Sequence, residues 1–195
     1  MKYFILLLLT ISQVACVSAS KPRPNIALYD FSYTENLDSK QKLIAKTDVD
    51  EITAIEALNY QKIRYRLNYK NAARVFYYTE SRWTSTPAEL IGNQLTTLLQ
   101  RVEKPSNCSL KLKLQLFDHV FTSENSSSGV VQMSSTLLVK KTKQVIANDT
   151  IVESVPAITA NAEGGTKALA QASEHALIRA INWANAQAEH NPLCE

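Results

Sequence analysis

The sequence predicts an α/β domain in which two long amphipathic helices pack on one face of a largely antiparallel sheet of about five or six strands. Three observations carry this expectation. Ile63, Tyr65, Leu67 and Tyr69 alternate with Lys62, Arg64, Arg66 and Asn68, and Leu110, Leu112, Leu114 and Leu116 alternate with Lys111, Lys113 and Gln115. That period of two marks strands with one buried face. Ile91, Leu95, Leu98 and Val102 recur at helical spacing, as do Leu169, Ala172, Ala176, Leu177, Ala180, Ile181 and Ala184.

Taken in order, Asn25 to Phe31 is the first strand candidate, and residues 32–47 read as a polar loop. Residues 52–58 read as a strand, with helix as the alternative because Ala and Glu are present. The Tyr65 strand turns at Asn71-Ala72-Ala73 into a second aromatic-rich strand, Arg74 to Tyr78, giving a hairpin-like pair. Thr86 is the N-cap of the first helix, Pro87 suits its first position, and Glu89 completes a capping box. Lys104-Pro105-Ser106 is expected to end it. Residues 110–116, 131–139 and about 144–155 are three adjacent antiparallel strands, with a cationic tip at Lys140-Lys141-Thr142-Lys143. Slipping the Leu110 strand by one residue would put two lysines in the core, so its register is well specified. Pro156 and Gly164-Gly165 bracket a boundary before the last helix, expected over about residues 166–188.

The chain has 195 residues, 45% of them hydrophobic, with 21 Lys+Arg against 18 Asp+Glu. A net charge of +3 with both signs mixed offers no broad field for a nucleic-acid backbone. No solenoid-length repeat occurs, and beyond the N-terminus no apolar run reaches the roughly 18 residues that cross a bilayer.

Residues 1–15 have the form of a secretory signal: Lys2, then the apolar run Phe4 to Ile11. It ends at Val14-Ala15-Cys16, similar to the lipobox of bacterial lipoproteins, in which the Cys receives a thioether-linked lipid and acyl chains such as palmitate. Gln13 departs from that pattern, because an aliphatic residue is usual there. Secretion with cleavage near Ala15 or Ala19 is the alternative. On the lipobox reading, residues 16–24 are the lipidated Cys16 and a polar tether, and residues 25–195 are the domain. Val17 stands where an Asp favours inner-membrane retention in enterobacterial lipoproteins, so the expectation is the outer membrane, facing the periplasm.

Cys108 and Cys194 remain, in a compartment that permits disulfides. A bond between them would tie the tail to the sheet; two separate thiols are the alternative, since spacing does not set geometry. The chain carries no C-x-x-C, HExxH, GxSxG, Walker loop or GxGxxG motif. His119 adjoins Asp118 on a strand and His175 adjoins Glu174 on a helix, so neither pair shares a face. His190 lies in the tail. We therefore expect no catalysis and no cofactor or metal. Three Asn-x-Ser/Thr patterns (Asn107, Asn125, Asn148) would matter only in a eukaryotic secretory pathway.

One block is more specific. Tyr65-Arg66-Leu67-Asn68-Tyr69, Asn71-Ala72-Ala73, Tyr78, Ser81-Arg82-Trp83 and Pro87-Ala88-Glu89-Leu90-Ile91 resemble the ABC-type transport auxiliary lipoprotein family. Ile26 to Phe31 resembles that family's first strand, and the Ala/Leu-rich last helix, with Trp183 near its end, resembles its closing helix. The resemblance spans about residues 25–188. Ala57-Leu58-Asn59-Tyr60 departs from it, lacking a Trp-Leu found in many relatives.

The resemblance implies a fold similar to the N-terminal domain of TolB-like proteins. It also implies a non-catalytic auxiliary of an MCE-type system, in which an ABC transporter works with an MCE-domain protein that spans the periplasm. Such systems move phospholipids or other apolar molecules between inner and outer membranes. The partners implied are that MCE-domain protein and, through the lipid, the outer membrane; a homo-oligomer is compatible with the role. Tyr65, Tyr69, Tyr77, Tyr78, Arg82 and Trp83 are of the types enriched at binding hot spots, so Tyr65, Tyr69, Tyr78, Arg82 and Trp83 are the candidate partner-binding residues, with core packing as the competing role. The competing function is a lipoprotein regulator or scaffold of envelope assembly with a TolB-like domain, and a third is a lipid carrier with its own apolar cavity.

Overall fold

The computed structural model describes residues 25–31, 43–101 and 106–195. Cys16, the signal segment and the tether lie outside the described residues, as does most of the loop expected over 32–47.

Nine strands are described: β1 (Ala27–Tyr29), β2 (Leu43–Ala45), β3 (Asp48–Ala54), β4 (Lys62–Leu67), β5 (Phe76–Trp83), β6 (Leu99–Arg101), β7 (Cys108–Phe121), β8 (Ser127–Val139) and β9 (Val145–Pro156). The helices are α1 (Asn68–Asn71), α2 (Pro87–Leu98) and α3 (Ala162–Glu189). The main sheet runs β1-β5-β4-β7-β8-β9, and β3 also pairs with β7. It therefore has seven strands, one more than the upper expectation, because one edge of β7 is long enough for two partners. Residues 109–114 of β7 pair in parallel with β3, and His119 to Phe121 pair in parallel with β4. The long β7-β8-β9 ladders are antiparallel, as the alternation predicts.

Between β3 and β4 the chain makes a 3-10 turn, Glu56–Leu58, so the strand expected through residue 58 stops at Ala54. The turn carries the chain from one partner segment of β7 to the next. A bulge in β7 between Leu114 and Leu116 accompanies it, shifting which residues face the helices. Leu110, Leu112, Leu114, Phe117 and His119 are all buried.

The first helix starts as the sequence predicts: Thr86 and Glu89 form the capping box, with Pro87 in the first turn. It ends at Leu98, short of Lys104. Leu99 is extended (φ −75°, ψ 134°), and Leu99–Arg101 pair in parallel with Leu43–Ala45 as a separate two-stranded ribbon. Strand pairing across more than fifty residues outweighs the helical continuation, and local spacing carries no sign of it. The ribbon sits on α3, where the Asn185 side chain accepts from the Lys46 amide (2.9 Å) and donates to the Ile44 carbonyl (2.8 Å).

α3 begins at Ala162, earlier than expected, capped by Asn161, whose side chain accepts from the Gly164 amide. Gly164 and Gly165 therefore lie inside the first helical turn. A Cβ on Gly129 of β8 would stand 2.4 Å from the Leu169 backbone nitrogen, so only glycine lets helix and sheet approach this closely. Ala172, Ala176, Ala180 and Ala184 continue the seam along α3. Gln94 of α2 donates to the Ala170 carbonyl at 3.0 Å, joining the two long helices.

Cys108 at the start of β7 and Cys194 in the terminal 3-10 turn are disulfide-bonded, 86 residues apart in sequence. The Asn107 amide donates to the Cys194 carbonyl (2.9 Å), so the tail is fixed to the sheet beside the bond. Both sulfur-bearing residues are buried. Closing so long a loop restricts the unfolded chain strongly. Replacing both Cys108 and Cys194 by Ser is expected to lower stability by about 2–5 kcal/mol, read as a lower urea midpoint. Added reductant should bring the native protein to the same midpoint.

Candidate functional site

The block singled out in the sequence folds as one wall of the domain. β4 and β5 pair antiparallel, with Tyr65 opposite Phe76, Arg64 opposite Tyr77 and Lys62 opposite Arg82. A register shift between Lys62 and Arg64 lets Tyr78 and Trp83 both face the helix side, though they are an odd number of positions apart.

Trp83 is 1% exposed. Its ring lies 5.5 Å from that of Phe31, edge-on, and 5.6 Å from that of Phe117. Trp83 is therefore a core anchor and not a docking residue: it ends β5 on the helix-facing side, immediately before α2. Tyr65 and Tyr78 are also engaged inward. Tyr65 stacks on Phe76 (5.2 Å), lies 4.7 Å from Tyr78 and meets Phe121 at 6.0 Å. Both remain half-buried, so they support the wall rather than stand free on it.

Tyr78 reaches further. Its hydroxyl lies 2.8 Å from Nδ1 of His119, which is fully buried. Gly165 packs against the same imidazole, where a Cβ would come within 2.3 Å of Nδ1. Burial lowers the His119 pKa from 6.5 to about 4. Burial, with Tyr65 and Tyr29 nearby, pushes the Tyr78 phenol up. Both groups are thus neutral at pH 7, and the phenol and Nδ1 share one hydrogen bond. Among the described residues, Nε2 of His119 has no hydrogen-bond partner.

On the opposite face of the same strands, Asp118 is fully buried between two arginines. Arg66 Nε lies 2.5 Å from its Oδ2, and Arg64 Nε lies 2.8 Å from its Oδ1, off the hydrogen-bond direction. Arg64 also donates to the Ala57 carbonyl (3.2 Å), and Arg66 to the Ala72 carbonyl (2.9 Å). This triad locks the 3-10 turn and the β4–β5 connection onto β7. Removing one member would strand a buried charge, whereas the intact set adds little net stability.

Arg82 is half-buried and folds back to donate to the Tyr78 and Ser81 carbonyls (2.5 and 2.7 Å). Tyr69 is exposed, on the one-turn helix α1 and not on a strand. The alternation expected through Tyr69 ends at Leu67, where the chain begins to turn three residues early. Of the five candidate residues, the structure thus leaves only Tyr69 exposed.

What the sequence reading passed over is the cationic side of this hairpin. Lys62 Nζ lies 5.3 Å from the Tyr77 ring centroid, Lys70 Nζ 5.3 Å from that of Tyr69, and Arg74 Cζ 4.6 Å from that of Phe76. The strand period already put Lys62, Arg64 and Arg66 on one face. Their division into a triad and free cations depends on Asp118, more than fifty residues away. Among the described residues, no group of three His, Cys, Asp or Glu could hold a metal ion, and no helix is long and apolar enough to cross a membrane.

No family model matches the sequence, and no curated protein matches it. Solved structures do match in fold. Protein XCC0632 from Xanthomonas campestris, assigned to the family model DUF330, superposes with a TM-score of 0.62 at 11% identity, over 85% of this chain and 95% of that one. A second crystal structure, of an uncharacterized protein, gives 0.55 at 12% identity, over 83% and 98%. The chain has a DUF330-like fold. At these identities the likeness is one of architecture.

Two outcomes follow from the geometry. Trp83→Ala should cost about 3–5 kcal/mol, because a large buried side chain is lost. Tyr77→Ala, at an exposed ring, should stay within about 0.5–1 kcal/mol of native in the same urea unfolding measurement. For His119, the folded pKa lies below the unfolded one, so its contribution is complete above pH 6.5 and is lost as pH falls toward 4. The native protein should lose up to about 3 kcal/mol more than His119→Phe over that window, measured by urea midpoints at stepped pH.

Proposed function

We propose that this protein is a periplasm-facing lipoprotein of the outer membrane, anchored through Cys16. There it serves as a non-catalytic docking component of an MCE-type ABC transport system that moves phospholipids or other apolar molecules between the membranes. One observation carries the reading. The residues that resemble the auxiliary lipoprotein family, Tyr65 to Ile91, form one continuous wall, from β4 and β5 into the capped start of α2. Within it Tyr65 and Tyr78 pack against each other and Trp83 enters the core. The DUF330-like architecture is compatible with it. The signal-like N-terminus and Cys16 supply the anchoring half of the reading from the sequence.

Mass spectrometry of the purified protein should find diacyl lipid on Cys16. Cys16→Ala should move the protein out of the membrane pellet, since stable attachment needs more than one acyl chain. In detergent, the native protein should capture an MCE-domain protein from the same envelope. A chain that is unmodified at Cys16 and soluble defeats the anchor. Failure to capture that protein, with capture of a peptidoglycan synthase instead, defeats the transport role.

A further inference from the structure

The β4–β5 hairpin differs from the rest of the surface. Residues 62–79 contain five cations and no carboxylate; Glu80, exposed further along β5, is the one acid of the hairpin. Arg64 and Arg66 are spent on Asp118. Lys62, Lys70 and Arg74 are exposed and, among the described residues, pair with no acid. Each instead lies over an aromatic ring, on Tyr77, Tyr69 and Phe76 respectively. Glu124 stands in the neighbouring turn between β7 and β8, outside the hairpin.

Long cationic stems beside half-exposed tyrosines are the chemistry of a membrane interface. The rings sit at headgroup depth, and the ammonium and guanidinium groups reach anionic phosphates. The direction of β1 brings this hairpin toward the anchor. β1 runs parallel to β5, with Ala27 opposite Ser81, so the chain enters β1 from the side on which the hairpin turns. From Cys16 to Asn25 a fully extended tether spans about 30 Å. The hairpin tip lies about 20 Å along the strand from the level of β1.

We infer that the turn end of this hairpin, with Tyr69, Lys70 and Arg74, rests on an anionic lipid surface and fixes how the domain stands on its membrane. The inference rests on the anchored reading proposed above. A protein partner with an acidic surface is the other occupant such a patch could take; the tether's reach and point of entry favour the lipid.

The test uses the purified mature protein, its N-terminus read by mass spectrometry, on vesicles of brominated phosphatidylglycerol mixed with phosphatidylcholine, and on brominated phosphatidylcholine alone. With Tyr69→Trp as reporter, quenching beyond that of the native protein should be about twofold or more greater on the anionic vesicles. Adding Lys70→Glu and Arg74→Glu should bring it down to the phosphatidylcholine level, with thermal unfolding unchanged. Equal quenching on both vesicles while Cys16 carries lipid overturns the inference and leaves the anchor standing. If Cys16 carries none, the anchor fails, and quenching on added vesicles still decides the hairpin. Loss of MCE-protein capture in detergent on Lys70→Glu with Arg74→Glu assigns the patch to that partner and overturns the lipid.

Discussion

β7 is the strand on which everything else depends. It runs for fourteen residues, Cys108–Phe121, and meets β8 along one edge and both β3 and β4 along the other. Its helix-facing side chains seat the core, while Asp118 on its opposite face is sealed under arginines. A strand so enclosed cannot slip: a shift of one residue would place Lys111 and Lys113 against α3 and expose Leu110, Leu112 and Leu114. The disulfide holds its first residue, and the Arg64–Asp118–Arg66 and Tyr78–His119 contacts hold its far end.

Those two polar contacts sit on opposite sides of neighbouring residues, and they do different work. The triad is charged and ties down backbone carbonyls at Ala57 and Ala72. It specifies where the chain crosses from β3 to β4, at a desolvation cost that makes it more valuable for geometry than for net stability. The Tyr78–His119 pair is neutral and links β5 to β7 beneath the first turn of α3. Gly165 is required there because the imidazole fills the space a side chain would take. An adjacent Asp and His could be mistaken for an acid–base pair. Here the strand pleat separates them: Asp118 meets Arg64 and Arg66, and Nδ1 of His119 meets Tyr78.

The aromatic block is built in the same divided way. Its inner members, Tyr65, Phe76, Tyr78 and Trp83, join β4 and β5 to the core. Its outer members, Tyr69 and Tyr77, are free, and cations cover them. A family-like motif can therefore be conspicuous in sequence for reasons of packing while the surface it presents is carried by residues beside the motif, such as Lys62, Lys70 and Arg74.

The sequence by itself determined the α/β class, the alternating strands, the capped start of α2, the small-residue seam of α3 and the absence of known catalytic motifs. These are properties of period and local hydrogen bonding, and they act within a few residues. The tertiary structure alone decided that Leu99 leaves the helix for a strand, that β7 takes two partners on one edge, that Trp83 is core, and that Arg64 and Arg66 share Asp118 while Lys62, Lys70 and Arg74 lie over aromatic rings. Each of these depends on a partner tens of residues away, brought close only once burial and pairing have chosen among many contacts of similar local worth.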